Sequence, residues 1–243
     1  MTIIDASDLR EVLGGRRVSK RELKMSTPTL GWFAKATLAA THTDPDVGPL
    51  HHVRLVADGL TGYGLASDTY RVHQANIGLR EDVEHVDVVI PRTALEWAVK
   101  NWRAFRPKKD TLITPIAVIE VRQAVEPDHQ GRHPGTVQVI LREWDEDDAP
   151  TARFEAPLCL EPFPNVARVI DDARMLNPGP PAPLNLAHIA AAGLLATEFS
   201  DTPVIEFTHR DNGKPGPALL DFIERDVIAA TALIQPQQLG SDE

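Results

Sequence analysis

The sequence predicts an α+β protein in which helices lie on one face of antiparallel sheets. Several short runs alternate apolar and polar residues, which is typical of half-buried strands. Other segments carry apolar residues at helical spacing. The order strand, helix and then further strands occurs three times along the chain. A repeated unit of this kind cannot bury both of its faces alone, so each unit needs a neighbour to cover its helix and its sheet edge.

The composition indicates a globular protein. The chain has 243 residues, of which 42% are hydrophobic, enough for one large domain or two small ones. No apolar run is long enough to span a bilayer, and the N-terminus lacks the basic and apolar pattern of a secretory signal. The single cysteine, Cys159, lies in an apolar run and is predicted to be a buried reduced thiol. We therefore expect a cytoplasmic location.

Residues 1–21 are predicted to form an N-terminal helix and a basic connector. The helix covers Met1–Gly15, has Asp5 or Ser7 as its N-cap and ends at a pair of glycines. Basic residues follow it at Arg16, Arg17, Lys20, Arg21 and Lys24.

The first unit begins with a predicted strand at Glu22–Ser26. A helix follows, with Thr27 as its cap and Pro28 in its first turn. Asp58 and Gly59 are predicted to form a hairpin turn. The buried stripe of the helix is predicted to contain Leu30, Phe33, Ala34, Thr37 and Leu38. Further strands are predicted at Leu50–Ala57, Gly62–Ser67 and Tyr70–Ile77.

The second unit begins with a predicted strand at Val86–Ile90 and a helix at Arg92–Phe105. The residues of this helix that face inward are predicted to be Leu95, Ala98, Val99, Trp102 and Phe105. Its further strands are predicted near Leu112–Val121, Thr136–Trp144 and Thr151–Leu158.

The third unit follows a stiff Pro-rich linker at Asn177–Pro181. It is predicted to contain a strand at Leu184–Leu186, a helix at Ala187–Phe199, and strands at Val204–His209, Ala218–Ile223 and Val227–Ile234. We expect residues 22–171 to form one domain of two units, and residues 172–243 to form half a domain of one unit.

Four segments of the chain carry a resemblance to a known family. In their order and spacing they resemble the bacterial DNA polymerase III β sliding clamp, and the resemblance implies a DNA-clamp-like fold. The similarity covers nearly all of the chain, from Glu22 to Leu239. The four segments are Gly64–Val72, Val88–Glu96, Phe163–Ile170 and Ala230–Leu239.

The chain is shorter than that family. A cellular β clamp has three domains and six units, whereas this sequence shows three units. The chain thus resembles a shortened, phage-type clamp whose first domain is missing and whose last domain is halved. Such a chain leaves an open sheet edge, for which three arrangements are expected: a different assembly of chains, capping by the N-terminal segment, or pairing with another clamp chain.

The resemblance implies an apolar groove that binds short peptides of a polymerase or a clamp loader. The groove is more polar than is usual, because Gln235 and Gln237 replace apolar residues, Gln238 replaces Arg and Asp171 replaces Pro. In the alternative interpretation, the Tyr-Arg pair only closes a corner of the sheet. The residues that the resemblance assigns to the groove are Leu50, Thr69, Tyr70, Arg71, Val72, Ile170, Leu233, Gln235, Pro236 and Leu239.

The resemblance also implies that helices line a central hole and contact DNA phosphates without recognising sequence. The net charge of −10 argues against a simple basic nucleic-acid-binding protein, but not against a ring that is acidic outside and basic inside. The third predicted helix has no Lys or Arg, and in the alternative the basic residues form an ordinary solvated surface. The predicted DNA-facing residues are Lys20, Arg21, Lys24, Lys35, Arg92, Lys100, Arg103, Arg106, Lys108 and Lys109.

The sequence gives little support for catalysis. It has no Gly-rich phosphate-binding loop with Lys. The carboxylates of Glu143 and residues 145–148 are predicted to form a solvated loop rather than a metal site. We therefore expect no enzyme activity, no metal and no cofactor, and a metal-dependent hydrolase remains as a third hypothesis.

The leading hypothesis is a sliding-clamp-like replication accessory protein, which raises processivity by holding a polymerase near its template. Its expected partners are double-stranded DNA, bound without sequence specificity, a replicative polymerase or clamp loader that docks through a short peptide, and further copies of the chain. No membrane is expected. The alternative is a clamp-fold interaction module that does not encircle DNA and binds a host clamp or replication proteins.

Overall fold

The computed structural model describes residues 17–107, 114–145, 151–197 and 199–237. The predicted N-terminal helix lies outside the described residues, as do Lys108, Lys109, Leu239 and residues 146–148 of the acidic loop. The strands are β1 (Val18–Ser26), β2 (Val53–Ser67), β3 (Arg71–Ile90), β4 (Ile116–Ala124), β5 (Gly135–Arg142), β6 (Thr151–Pro157), β7 (Asn177–Pro178), β8 (Val204–His209), β9 (Pro215–Glu224) and β10 (Val227–Ile234). The helices are α1 (Thr27–Leu38), α2 (Arg92–Asn101), α3 (Val166–Arg174) and α4 (Leu186–Ala192), with 3-10 segments at Pro45–His51, Trp102–Phe105 and Gly193–Leu195.

The strands form two antiparallel sheets, which confirms the predicted α+β class. One sheet has the order β1-β4-β5-β6, and the other has the order β2-β3-β10-β9-β8-β7. The second sheet joins the ribbon of β2 and β3 to the strands of the third unit through pairing of β10 with β3. The edge of β3 is therefore covered by the C-terminal strands of the same chain.

The predicted hairpin at Asp58 and Gly59 is wrong, because β2 continues through these residues. Gly59 has a φ of 60° and lies in a bulge of the ladder between β2 and β3, where the register shifts twice. Glycine adopts this left-handed conformation without steric cost, so it can form a bulge as readily as a turn. The predicted strands on either side merge into β2, and Tyr70–Ile77 and Val86–Ile90 merge into the 20-residue strand β3.

Helices α1 and α2 lie side by side over the main hydrophobic core. Ser26 rather than Thr27 caps α1: its hydroxyl accepts a hydrogen bond from the Thr29 amide at 3.2 Å, and Thr27 donates to the carbonyl of Phe105. The ring of Phe33 packs on β2 above Gly64, which leaves no room there for a Cβ. The stripe predicted on α1 is thus part of the core.

Three elements of the C-terminal half differ from the prediction. Leu184 and Asn185 form no strand, and Asn185 instead caps α4 by accepting a hydrogen bond from the Ala187 amide. The helix ends at Ala192 and continues only as a 3-10 turn, since Gly193 is a poor helix former. Helix α3 was not anticipated, and it packs on the face of the six-stranded sheet that is opposite to α4.

Candidate functional site

The segment between β2 and β3 is a tight turn, as the short polar side chains of Asp68 and Thr69 predict. The Asp68 carboxylate accepts hydrogen bonds from the amides of Tyr70 and Arg71, both at 3.1 Å, and from Nε of Arg71 at 2.9 Å. Thr69 has a φ of 77°, a conformation that is unusual for a β-branched residue. This bonding holds the turn so that the Tyr70 side chain points outward, with 64% of the residue exposed.

The turn contacts the end of β10. In sequence, the two are separated by more than half of the length of the chain. The Gln235 amide donates a hydrogen bond to the Tyr70 carbonyl at 2.9 Å, and Leu233 pairs with Val72 in the ladder. Two residues further along, the Gln237 amide donates to the carbonyl of Pro183 at 2.8 Å. The turn and the Pro-containing C-terminal segment are therefore parts of one surface.

Three of the predicted groove residues, Val72, Ile170 and Leu233, lie in one apolar cluster between α3, which carries Ile170, and the sheet. All three are buried, so they form the floor of this region rather than its open wall. Tyr63 and Phe163 are partly buried at the margin of the cluster. An apolar side chain could reach this floor only if α3 shifted.

The remaining groove residues occupy different places. Thr69 is exposed, Gln235 and Pro236 are half-buried, and Leu50 is half-buried in the 3-10 segment that precedes the other end of β2. Arg71 is ion-paired with Asp68 at 2.9 Å, so its charge is already compensated. The assignment of these residues to a groove stays a prediction.

The structure adds His188 to this surface. Its ring lies 6.2 Å from that of Tyr70, and burial together with the charge of Arg71 lowers its pKa. No sequence pattern points to His188, because α4 is far from the turn in sequence and no motif connects them. Its position as the only ionisable residue between Met175 and Thr197 is a signal that could have found it.

Five of the predicted DNA-facing residues lie on the helices or in the segment after α2: Lys35, Arg92, Lys100, Arg103 and Arg106. Lys100, Arg103 and Arg106 are exposed at the end of α2 and in the segment after it. The Lys35 ammonium and the Arg103 guanidinium lie 5.4 and 5.8 Å from the ring of Trp102, within the range of a cation–π interaction. The indole itself packs on Gly31 of α1, where a Cβ would lie 2.5 Å from the ring. Trp102 thus lies between a basic residue of α1 and one of the 3-10 segment that follows α2.

The other basic residues are paired with carboxylates. Lys20 lies 2.9 Å from Glu120, and hydrogen bonds to Glu22 and Glu120 raise its pKa. Lys24 lies 3.0 Å from Glu81, which raises the pKa of the lysine. Both lysines alternate along β1 with Leu23 and Met25 of the core, so they point away from the helices.

Arg21 and Arg92 are also within reach of carboxylates. Arg21 lies 3.6 Å from Glu84, and Arg92 lies 2.8 Å from Glu96. Whether any of the paired residues faces DNA stays a prediction, and the helix-side residues around Trp102 are the better candidates.

No metal centre or reactive thiol stands out among the described residues. They contain no group of three His, Cys, Asp or Glu side chains that could hold a metal ion. Cys159 is half-buried, and burial raises the pKa of its thiol, which keeps it protonated. In the described chain no helix is both long and apolar enough to cross a bilayer.

Comparison with solved structures identifies the fold, whereas the comparisons by sequence find no match. No protein-family model matches the chain, and no curated protein matches it. Among solved structures, the β subunit of DNA polymerase III from Thermotoga maritima is 14% identical, with a TM-score of 0.57 over 90% of this chain and 66% of that one. The DNA polymerase sliding clamp from Pseudomonas aeruginosa is 13% identical, with a TM-score of 0.56 over 90% of this chain and 67% of that one.

The chain therefore spans about two thirds of the length of the clamps that it matches. The predicted likeness to a shortened clamp is confirmed in the fold. At this level of identity the comparison establishes architecture alone. The described chain has the fold of the DNA polymerase III β sliding clamps.

Proposed function

We propose that this chain is a sliding-clamp-like accessory protein of DNA replication, without catalytic activity of its own. It tethers partner proteins to duplex DNA and binds their short peptides at the surface around Tyr70. The observation that carries the proposal is the clamp fold, in which the turn at Tyr70, α3 and the end of β10 come together. Tethering raises the effective concentration of a polymerase at its template.

The DNA-facing part of the proposal uses the basic residues that surround Trp102. Lys35, Lys100, Arg103 and Arg106 are on the helix side of the sheets, and none of them is engaged in an ion pair within the described chain. Contacts of this kind neutralise phosphates without recognising bases, so DNA can slide past them. The net charge of −10 then disfavours adsorption of DNA elsewhere on the protein.

Retention on a nicked circular plasmid in the presence of a clamp loader tests the tethering. We expect the protein to stay with the circle during gel filtration and to leave when the circle is linearised. A ring that encircles DNA can slide off only where the DNA has an end. The triple variant Lys100→Gln, Arg103→Gln, Arg106→Gln is expected to lower the slope of log affinity against log salt by about 3.

The matched control removes the same charge elsewhere, through Arg168→Gln, Arg210→Gln and Lys214→Gln, and is expected to bind as the unchanged protein does. Equal retention on circular and linear DNA would contradict encirclement. Equal salt slopes for the two triple variants would contradict the surface around Trp102.

Tyr70 is expected to provide most of the peptide affinity, because exposed aromatic residues commonly act as anchors of small interfaces. Tyr70→Ala should weaken binding of a fluorescent peptide from the C-terminus of a bacterial replicative polymerase by about 30-fold. Fluorescence anisotropy measures this, with Leu60→Ala, an exposed apolar residue of β2, as the control. Unchanged affinity of the Tyr70 variant would mean that the pair at residues 70 and 71 only closes a sheet corner.

A second candidate function is a clamp-fold module that binds replication proteins without encircling DNA. The net charge of −10 and the pairing of Lys20, Lys24 and Arg92 with carboxylates favour it. This module would bind the polymerase peptide and would show no difference between nicked and linear DNA. The two assays together separate the two functions.

A further inference from the structure

Strands β3 and β10 separate at one end of the ladder that joins them. The ladder stops at the pair of Ala75 and Ala230. Beyond this pair the Asn76 side chain, and not the backbone of β3, reaches across to β10 and donates a hydrogen bond to the Ile228 carbonyl at 2.7 Å. A cleft lies between the two strands beside Gly78, and cavities on both faces of the sheet open onto it.

The cavity on the helix side of the sheet is large enough for a small molecule. Its volume is about 570 Å³, within the range of roughly 300–1,000 Å³ that is usual for ligand pockets. Helix α1, strands β3, β9 and β10, and the segment after α4 form its walls. It shares no residue with the surface around Tyr70 or with the basic residues around Trp102, so a ligand in this cavity would bind apart from both.

Glu224 is the only charged residue among the described residues that line this cavity. Its side chain lies on the same face of β9 as Phe222 of the main core, because residues two apart in a strand share a face. Glu224 is half-buried, and its carboxylate forms no ion pair or hydrogen bond with another residue in the described part of the chain. The neighbouring Arg225 is exposed in the turn after β9 and does not line the cavity. The cavity therefore presents one uncompensated negative charge.

Two aromatic rings line the cavity from different elements. Trp32 of α1 is half-buried, and its indole N–H donates a hydrogen bond to the Leu195 carbonyl at 3.3 Å, which fixes the ring. Phe199 is 63% exposed, and its amide donates a hydrogen bond to the Thr197 hydroxyl at 3.2 Å. Because the faces of aromatic rings attract cations, the two rings and the carboxylate favour the same charge in a ligand.

We propose that this cavity binds a primary alkylammonium cation, with the ammonium group at Glu224 and the alkyl chain against Trp32 and Phe199. A ligand that shields Glu224 from water must compensate the carboxylate, and an ammonium group does so with both its charge and its hydrogen-bond donors. A neutral or anionic ligand lacks that compensation. A divalent metal ion would need several oxygen ligands, and the described residues contain no group of three candidate ligands.

Calorimetric titration of the full chain with pentylammonium, and with pentanol as a neutral molecule of the same length, tests the proposal. We expect a dissociation constant of about 1 mM or below for the cation, and binding of the alcohol that is weaker by about 10-fold or more. Glu224→Gln should weaken binding of the cation by about 10-fold, and Phe199→Ala by about 3-fold. The controls Glu126→Gln and Met175→Ala remove an exposed carboxylate and an exposed apolar side chain elsewhere, and should bind the cation as the unchanged protein does.

The indole N–H signal of Trp32 tests the location independently. Once assigned with the variant Trp32→Phe, this signal should shift in a proton–nitrogen correlation spectrum when pentylammonium is added, and should stay in place with pentanol. Equal binding of the cation and the alcohol, or no binding of the cation at about 10 mM, would overturn the proposal. An unchanged Trp32 signal, or full affinity of the Glu224 variant, would do the same.

A second titration separates the two sources of this chemistry, which are free amines and the lysine side chains of partner proteins. Cadaverine presents the ammonium group as a free amine does, and Nα-acetyl-lysine methylamide presents it as a protein side chain does. Tighter binding of either one supports the cavity and identifies its source of ligand. The cavity is independent of tethering to DNA, so a negative plasmid assay leaves this proposal intact, and failure of the cation to bind leaves the tethering intact.

Discussion

Replacing Gly64 by alanine is expected to lower the free energy of unfolding by about 3 kcal/mol. Gly64 lies in β2 directly beneath the fully buried ring of Phe33, and an added Cβ would overlap that ring and approach the Thr37 methyl group. Since the core is close-packed, either the ring or the whole of α1 must move. Denaturation in urea, followed by circular dichroism, measures the change.

Gly78→Ala is the matched control, because it makes the same substitution in the neighbouring strand β3. A Cβ at Gly78 would meet open space. We expect this variant to differ from the unchanged protein by less than about 1 kcal/mol. Equal losses in the two variants would show that backbone freedom, and not the contact with Phe33, determines the result.

Acidification is expected to destabilise the protein through His73, by about 3 kcal/mol between pH 6.5 and 4. The ring is buried beneath α1, and Nδ1 lies 2.7 Å from the Ala36 carbonyl, so in the neutral form Nδ1 carries the proton and donates. The Nε2 atom is buried without a hydrogen-bond partner. Burial lowers the pKa of His73 to about 4.

The sign follows from the direction of this shift. The unfolded chain binds a proton near pH 6.5 and the folded chain only near pH 4, so the stability is complete above pH 6.5 and declines as the pH falls to about 4. The lowered pKa values of His52 and His188 act in the same direction. The groups that face His73 electrostatically are Arg71, Asp68 and His188.

The variant His73→Asn isolates the contribution of this ring. Its amide can still donate to the Ala36 carbonyl but does not titrate, so the free energy of unfolding should fall less steeply with pH. His129→Asn, at an exposed histidine, should leave the slope unchanged. Parallel pH profiles of the unchanged protein and the His73 variant would rule out His73 as the source of the acid sensitivity.

The sequence predicted which segments of the chain are strands better than it predicted where strands end. Gly59 shows why: a glycine with positive φ suits both a hairpin and a bulge, and the choice depends on the partner strand. The length of β3 follows from its pairing with both β2 and β10, which local patterns do not contain. Similarly, the nine residues of α3 are too few for a stable isolated helix, so the helix depends on tertiary packing that local patterns do not show.

The candidate site could be predicted only in part, because its packing also depends on contacts between segments that are distant in sequence. The resemblance identified Val72, Ile170 and Leu233, which the structure brings into one cluster. It could not show that α3 covers Val72 and Leu233 with its own Ile170, because the sequence did not reveal this helix. Among the basic residues, composition alone could not separate Lys20, which is paired across the ladder with Glu120, from Arg103, which lies over Trp102.

The pairing of β3 with β10 also affects how the chain folds during its synthesis. The Asn76 side chain donates a hydrogen bond to the carbonyl of Ile228, which the ribosome adds 152 residues later. At about 5–20 residues per second, the outer edge of β3 waits roughly 8–30 s for its partner during synthesis. A long unpaired strand edge is a template for aggregation. In a nascent chain this edge of β3 therefore stays open to pairing with other chains until translation reaches β10.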